Sequence, residues 1–407
     1  MLPIEDLSDA ELVAAVASVV RAPRADPADS FVLHAPLELA ARTALLPRVA
    51  TGERTAARAQ IAAIAATYEA FGPAAPSQPE RAFESLEASA AWLGDALAAG
   101  DLDEVDVAAT WLGRHASSAR LAPLLADLVV PSLAAAAHGP IFLFQMPRVA
   151  PRGELTGELL RPLARELARN PSWRLEWFAD RTASAESSPA ALFDALRATP
   201  QLGVPESDFI YPLMSQVERT GVASELLSTT TSLDVEAAAR VILQAAALSM
   251  LQEPGDYAPY GWSHCFTMPQ ATLGIARWCK DPSVAVAVAA TYVVGFRAAL
   301  GRNPLEPAWT PSAPGVDLAT ALEQEPELAA AAVWHAPADQ VGMMTTLLAT
   351  RASVHHDAHL VKYTLACLDA ADWDKEHARL YLSAAAALHS WWTQADAATR
   401  EAASASA

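Results

Sequence analysis

Nearly every segment of this chain spaces its apolar residues for an amphipathic helix, and almost none keeps the two-residue rhythm of a half-buried strand. That pattern leaves helix-on-helix packing as the way to bury the chain. The run SDAE at Ser8–Glu11 has the form of a capping box and predicts a helix through about Val20. A second helix is expected from near Ser30, with His34 in it and Pro36 in its first turn. Further helices are expected over 54–70, 80–99, 102–116, 119–129, 154–169, 187–198, 206–219, 233–252, 316–333, 337–351, 354–371 and 375–398. The stretch 283–300 alternates like a strand in VAVAVA, but its length favours a buried helix. The apolar stretch 131–148 is centred on His138, and Gly139 and Pro140 are expected to end or kink a helix there. Loops are expected at 21–29, 72–79 and 303–315, with a turn at 253–262. No fixed-period repeat argues for a solenoid. The expectation is an all-α protein, one large bundle-like multi-helix domain over 1–400, with a frayed tail at 401–407.

Composition narrows the function. The 407 residues are 52% apolar and 18% charged, enough for a large core. A net charge of −19 repels phosphate backbones, so nucleic acid is not an expected partner. Cys265, Cys279 and Cys367 form no CxxC motif and suit a reducing cytoplasm. The opening MLPIEDLSDAEL is acidic where a signal peptide would be basic. The longest uncharged apolar run, near 283–296, falls short of the roughly 20 residues of a membrane span. A soluble cytoplasmic protein with no membrane partner is expected, its oligomeric state not legible. No P-loop, GxGxxG, GxSxG or HExxH pattern is present.

Ten histidines carry the chemical signal. Three crowd into VHHDAHLVK, just before Lys362. On a continuous helix His355, His359 and Lys362 would share an arc of roughly 60°, with His356 about a quarter-turn away. Lysine is rare, with only Lys280, Lys362 and Lys375 against 25 arginines. A buried lysine can become a neutral nucleophile, which arginine cannot. His115, His335, His377 and His389 have polar or helix-end surroundings and read, like His356, as structural or exposed. His34, His138 and His264 sit among apolar residues. A buried imidazole needs partners for both ring nitrogens, and a metal is one such partner. His359 joins them through the helix that carries Lys362. Histidines on four helices converge only in a bundle interior, which implies a buried metal site between helices. The Lys362 amine could take up carbon dioxide as a carbamate. Four imidazoles and one anionic oxygen would then suit Fe(II), Mn(II) or Zn(II). The plain alternative keeps the histidines as core residues, with Lys362 reaching the surface or pairing with Asp357 or Asp369.

Four segments also follow a family pattern in order: LHAPLELAAR with His34, AHGPIFLFQMPR with His138, YGWSHCFTMPQATLGI with His264–Cys265, and HHDAHLVKYT with His359 and Lys362 at an H-x-x-K spacing. In this the chain resembles the questin oxidase-like proteins, across residues 34–364. The resemblance implies a non-haem iron dioxygenase, or Baeyer–Villiger-type oxygenase, that opens an anthraquinone ring oxidatively. It implies a metal held by His34, His138, His264, His359 and a carboxylated Lys362, with dioxygen as co-substrate. His355 matches a histidine found in some members and takes a supporting role. Two positions depart from the pattern: Phe142 stands where a second histidine of that motif would fall, and Leu33 where asparagine is common. The expected reaction is oxidative carbon–carbon cleavage of a polycyclic aromatic or quinone substrate in natural-product metabolism. Trp262, Phe266, Met268, Phe142, Phe144 and Tyr363 neighbour the proposed ligands and are the substrate-pocket candidates; Arg148 could face a phenolate or simply lie at the surface. Two other functions stay open: a metal-dependent hydrolase using the same donors to lower the pKa of water, and a non-enzymatic helical scaffold.

Overall fold

The computed structural model describes residues 6–24, 30–149, 157–180, 188–203, 209–228 and 233–405. These residues form nineteen α-helices and no strand, so the chain is all-α. Helices α1 (Asp9–Val20), α2 (Ser30–Leu45) and α3 (Arg54–Ala70) come first. The Ser8–Glu11 capping box forms as expected, with Glu11 accepting from the Ser8 amide at 2.8 Å. Pro36 lies in the second turn of α2, not the first, and so costs that helix an internal hydrogen bond.

Next come α4 (Leu86–Ala99), α5 (Leu102–His115), α6 (Ser118–Val129), α7 (Gly139–Val149) and α8 (Leu160–Arg169). Residues 80–85 are not helical, because the Ser85 hydroxyl caps the Ala88 amide at 3.0 Å and starts α4 there. Gly139 and Pro140 open α7 instead of ending a helix. The first-turn amides of a helix have no partner inside it, so a proline there loses nothing. Part of the expected helix at 154–169 lies outside the described residues, as do parts of those at 187–198 and 206–219 and much of the loop at 21–29.

Helices α9 (Pro189–Arg197), α10 (Ile210–Arg219), α11 (Val222–Leu227), α12 (Val235–Gln252), α13 (Ser263–Ile275) and α14 (Pro282–Leu300) follow. The short α11 has no counterpart in the sequence reading. Helix α14 confirms the helical choice for the VAVAVA stretch and runs longer than its apolar core suggested. It is the one described helix long and apolar enough to cross a membrane, and 78% of its apolar window is buried inside the protein.

The last helices are α15 (Leu318–Ala321), α16 (Pro326–His335), α17 (Val341–Val354), α18 (Ala358–Trp373) and α19 (Ala378–Ala405). The expected helix at 316–333 is split, with Pro326 opening α16. Helix α19 continues through Ala405, past the point where a frayed tail was expected, and 406–407 lie outside the described residues. Buried apolar residues from Leu12 to Trp392 form one continuous core.

Four helices position the site. Helix α2 packs on α7, α7 on α13, α13 on α18, and α18 back on α2. This closed ring is braced from outside by α12, α14 and α19.

Candidate metal centre

Each helix of that ring contributes one histidine: His34 from α2, His138 from the residue before α7, His264 from α13 and His359 from α18. The imidazoles follow the same cycle. Ring centroids lie 4.8 Å apart for His34–His138, 5.4 Å for His138–His264, 4.9 Å for His264–His359 and 4.6 Å for His359–His34. All four are at most 8% exposed. The Nε2 atoms of His34 and His138 are 3.0 Å apart. His34, His138 and His264 can each point a ring nitrogen within 4.8 Å of the others.

The turn before α7 aims His138. Ala135, Ala136 and Ala137 all have positive φ, 51°, 49° and 55°. Left-handed backbone costs an L-residue roughly 1–2 kcal/mol. In return, the turn presents two carbonyls to His138 Nδ1, Ala136 O at 2.7 Å and Ala135 O at 3.1 Å. A ring nitrogen facing carbonyls carries the proton, which leaves a lone pair on Nε2. His264 is set the same way: Nδ1 donates to Tyr260 O, and Nε2 is buried with no hydrogen-bond partner. Tyr260 is placed by the π-type turn at Ala258–Trp262. A backbone carbonyl holding the outer nitrogen is the usual support of a metal-binding histidine. His359 Nδ1 faces Asp357 Oδ1 at 3.5 Å, and the same carboxylate caps α18 through the His359 amide at 2.7 Å.

Lys362 lies one turn beyond His359 on α18. It is 5% exposed and its Nζ has no hydrogen-bond partner. It therefore neither reaches the surface nor pairs with Asp369, which ion-pairs with Arg148 at 2.7 Å. Burial lowers the Lys362 pKa to about 7, against the opposing pull of Asp357 and Glu38. Burial, and then the nearby positive charges and imidazoles, hold His34, His138 and His264 well below the usual histidine range. His359 is lowered for the same reasons, with Asp357 opposing. Near neutral pH the cluster is therefore made of uncharged imidazoles beside an amine that is easily neutralised.

This donor set fits a transition-metal dication. Ring nitrogens converge from three helices, those of His34, His138 and His264, with the His359 ring edge-on to His34 and His264, and the buried Nε2 of His264 and Nζ of Lys362 have no other partner. Four neutral imidazoles leave a dication's charge uncompensated in a low-dielectric interior, and an anionic oxygen on Lys362 would reduce it. Cys265 is no thiolate donor, because burial pushes its thiol up to about 12.

His355 is elsewhere. The expected arc with His359 and Lys362 fails because the helix is broken: His355 ends α17 in extended backbone, and α18 starts only after the Asp357 cap. Its Nδ1 accepts from the Asp357 amide at 3.1 Å, so its proton is on Nε2, 3.3 Å from Asp396. Although His355, His356 and Asp396 lie close enough to share an ion, His355 in this state has no lone pair to give one. His389, read as structural or exposed, is buried and hydrogen-bonds Thr364 at 2.9 Å.

The pocket candidates separate. Trp262, Phe266, Met268 and Tyr363 are core residues no more than 1% exposed, with Phe266 stacked edge-on to Tyr363 at 5.6 Å. Phe142 lines a cavity of about 20 Å³ beside His138. Phe144 and Arg148 line a cleft of about 790 Å³ elsewhere on the ring. Three contributors were not picked out by sequence. Glu38 and Arg42 form a buried ion pair at 2.6 Å, and Arg42 also donates to Ser353 O at 2.8 Å and His355 O at 2.7 Å. This pins the His34 helix to the C-terminal end of α17, just ahead of α18; the H-x₃-E-x₃-R spacing in α2 was its only signal. Gln145, 5% exposed with an unpartnered Oε1, lines a chamber of about 10 Å³ beside Lys362.

Comparison with family models, curated proteins and solved structures finds no match.

Proposed function

We propose that this protein is a non-haem metal-dependent oxygenase, with iron as the metal, that breaks a carbon–carbon bond in a polycyclic aromatic or quinone substrate. The observation that carries the metal site is the closed cycle of four imidazoles around the unpartnered His264 Nε2 and Lys362 Nζ. The oxygenase assignment within that site rests on the order of the four sequence motifs and on a nitrogen-rich donor set suited to divalent iron. Iron(II), when bound, supplies the one-electron chemistry that dioxygen needs. The protein's own part is to hold and shield. His34, His138, His264 and His359 serve as neutral donors, with the alanine turn, the Tyr260 carbonyl and Asp357 fixing their orientations. Lys362, neutral at moderately alkaline pH, takes up carbon dioxide as a carbamate and offers an oxygen. The tightly closed surroundings keep bulk water away.

The test is metal content after expression with iron, zinc and manganese supplied together. About one iron per chain is expected, falling sharply in His264→Ala and Lys362→Arg while helical content is retained. Isotope-labelled bicarbonate should give a carbamate carbon signal that Lys362→Arg lacks. Zinc in place of iron would move the assignment to a hydrolase. A chain that holds no metal would leave a scaffold.

A further inference from the structure

Among the described residues, only small chambers adjoin the imidazole cycle. The chambers beside His138 and Lys362, about 20 and 10 Å³, have room for water and nothing larger. An aromatic substrate must therefore displace a wall. The wall at Lys362 has a large space behind it. Gln270 of α13 lines the Lys362 chamber and also a cleft of about 790 Å³ formed by α7, α12, α13 and α18. That volume lies in the range of small-molecule sites. The other large cleft, about 820 Å³ around Trp111 and Arg114, shares no residue with either chamber.

The chemistry of this cleft is selective. Phe144 and Trp373 bring aromatic rings to the lining, with Arg148 over the first at 5.5 Å and Arg240 over the second at 5.4 Å, and Leu243 and Leu273 add apolar surface. Gly274 makes room for Phe144, since a Cβ there would run into its ring. The carboxylates are occupied. Asp372 pairs with Arg48 at 2.7 Å, Asp369 with Arg148 at 2.7 Å and Glu236 with Arg240, while Asp234 caps α12. Among the described residues Arg277 has no carboxylate partner, and its guanidinium lies 4.0 Å over the Trp278 ring. A cation without a carboxylate partner thus stands at the edge of the cleft, while among the described residues Asp234 is held by backbone amides alone.

Building on the oxygenase reading, we propose that this cleft holds the substrate, a flat aromatic with an acidic hydroxyl whose anion faces Arg277, and that Gln270 is the movable partition between it and Lys362. The ring lies against Phe144 and Trp373, and the oxyanion meets the guanidinium. Gln270 is a long, unbranched side chain, so rotation about its side-chain bonds can open the partition.

Equilibrium dialysis tests this with 2-hydroxy-1,4-naphthoquinone, a vinylogous acid and so an anion at neutral pH, and with its neutral 2-methoxy ether, on metal-loaded and metal-free protein. Both should bind. Arg277→Gln should weaken the hydroxy compound about fivefold and leave the methoxy compound unchanged. Val235→Trp, which fills the cleft, should weaken both. Gln270→Ala should keep both affinities but speed removal of bound iron by bipyridyl, a flat aromatic chelator. Arg277 and Val235 are not fully buried, so both variants should fold, which helical circular dichroism verifies. Unchanged affinities in Arg277→Gln and Val235→Trp overturn the proposal, as does loss of binding in Tyr260→Ala alone, which would put entry at the Tyr260 face. Quinone binding as described by a chain that takes up no metal keeps the cleft and sinks the oxygenase. Iron uptake without quinone binding does the reverse.

Discussion

Lys362 makes the metal-free protein gain stability as pH rises. Its folded pKa of about 7 lies below the unfolded value of 10.5, so between those values the unfolded chain binds more protons. Stability must then rise with pH across that window, and the contribution is complete only above about pH 10.5. The buried histidines act in the same direction lower down. His34, His138 and His264 stay neutral when folded but take protons when unfolded, so metal-free protein loses stability as pH falls below 6.5. Urea unfolding as a function of pH checks both, and Lys362→Met should remove the alkaline slope while leaving the acid loss. At this scale the sequence was informative where a residue's neighbours in the chain are also its neighbours in space. The apolar surroundings of His34, His138 and His264 anticipated their burial. The arc expected to join His355 to His359 and Lys362 failed because it depended on where α18 begins, which the Asp357 side chain decides. Gln145 and Gln270 gave no signal, because only packing between helices brings them to Lys362.

The turn before α7 shows what an element can hide. Alanine is the best helix former, and nothing in AAAA predicts left-handed backbone. The turn persists because the surrounding fold and the two carbonyl contacts to His138 hold it. Glycine at Ala136 would relieve strain, so Ala136→Gly should raise the unfolding free energy by about 1 kcal/mol in metal-free protein, measured by denaturant titration. An unchanged or lower value would mean the turn is not strained. The direction of α7 was misread for a related reason: Gly139–Pro140 can stop one helix or start another, and the choice depends on what lies upstream. The capping boxes and single caps, by contrast, are local bonds, and Ser8–Glu11 was readable without any tertiary knowledge.

Across the whole molecule, the absence of strand periodicity was enough to fix the fold class. The cyclic order of α2, α7, α13 and α18 was not readable, since it follows from packing among helices far apart in sequence. On the proposed function, that cycle would couple metal to stability. An ion that binds only the folded ring stabilises it by about 2.7 kcal/mol at a free concentration one hundred times its Kd. Adding iron(II) anaerobically should therefore raise the melting temperature, and His34→Ala should abolish the rise. No rise in the wild-type protein would mean the ring holds no ion.

The ring also sets a timetable. Its donors span the chain from His34 to Lys362, and the last two arrive together on α18. The roughly hundred residues between His264 and His359 take about five to twenty seconds to synthesise. An ion that arrives during that interval meets at most three of the ring's imidazoles, and not Lys362. The complete set exists only once α18 has cleared the ribosome, so on the proposed function metallation would belong to the finished chain.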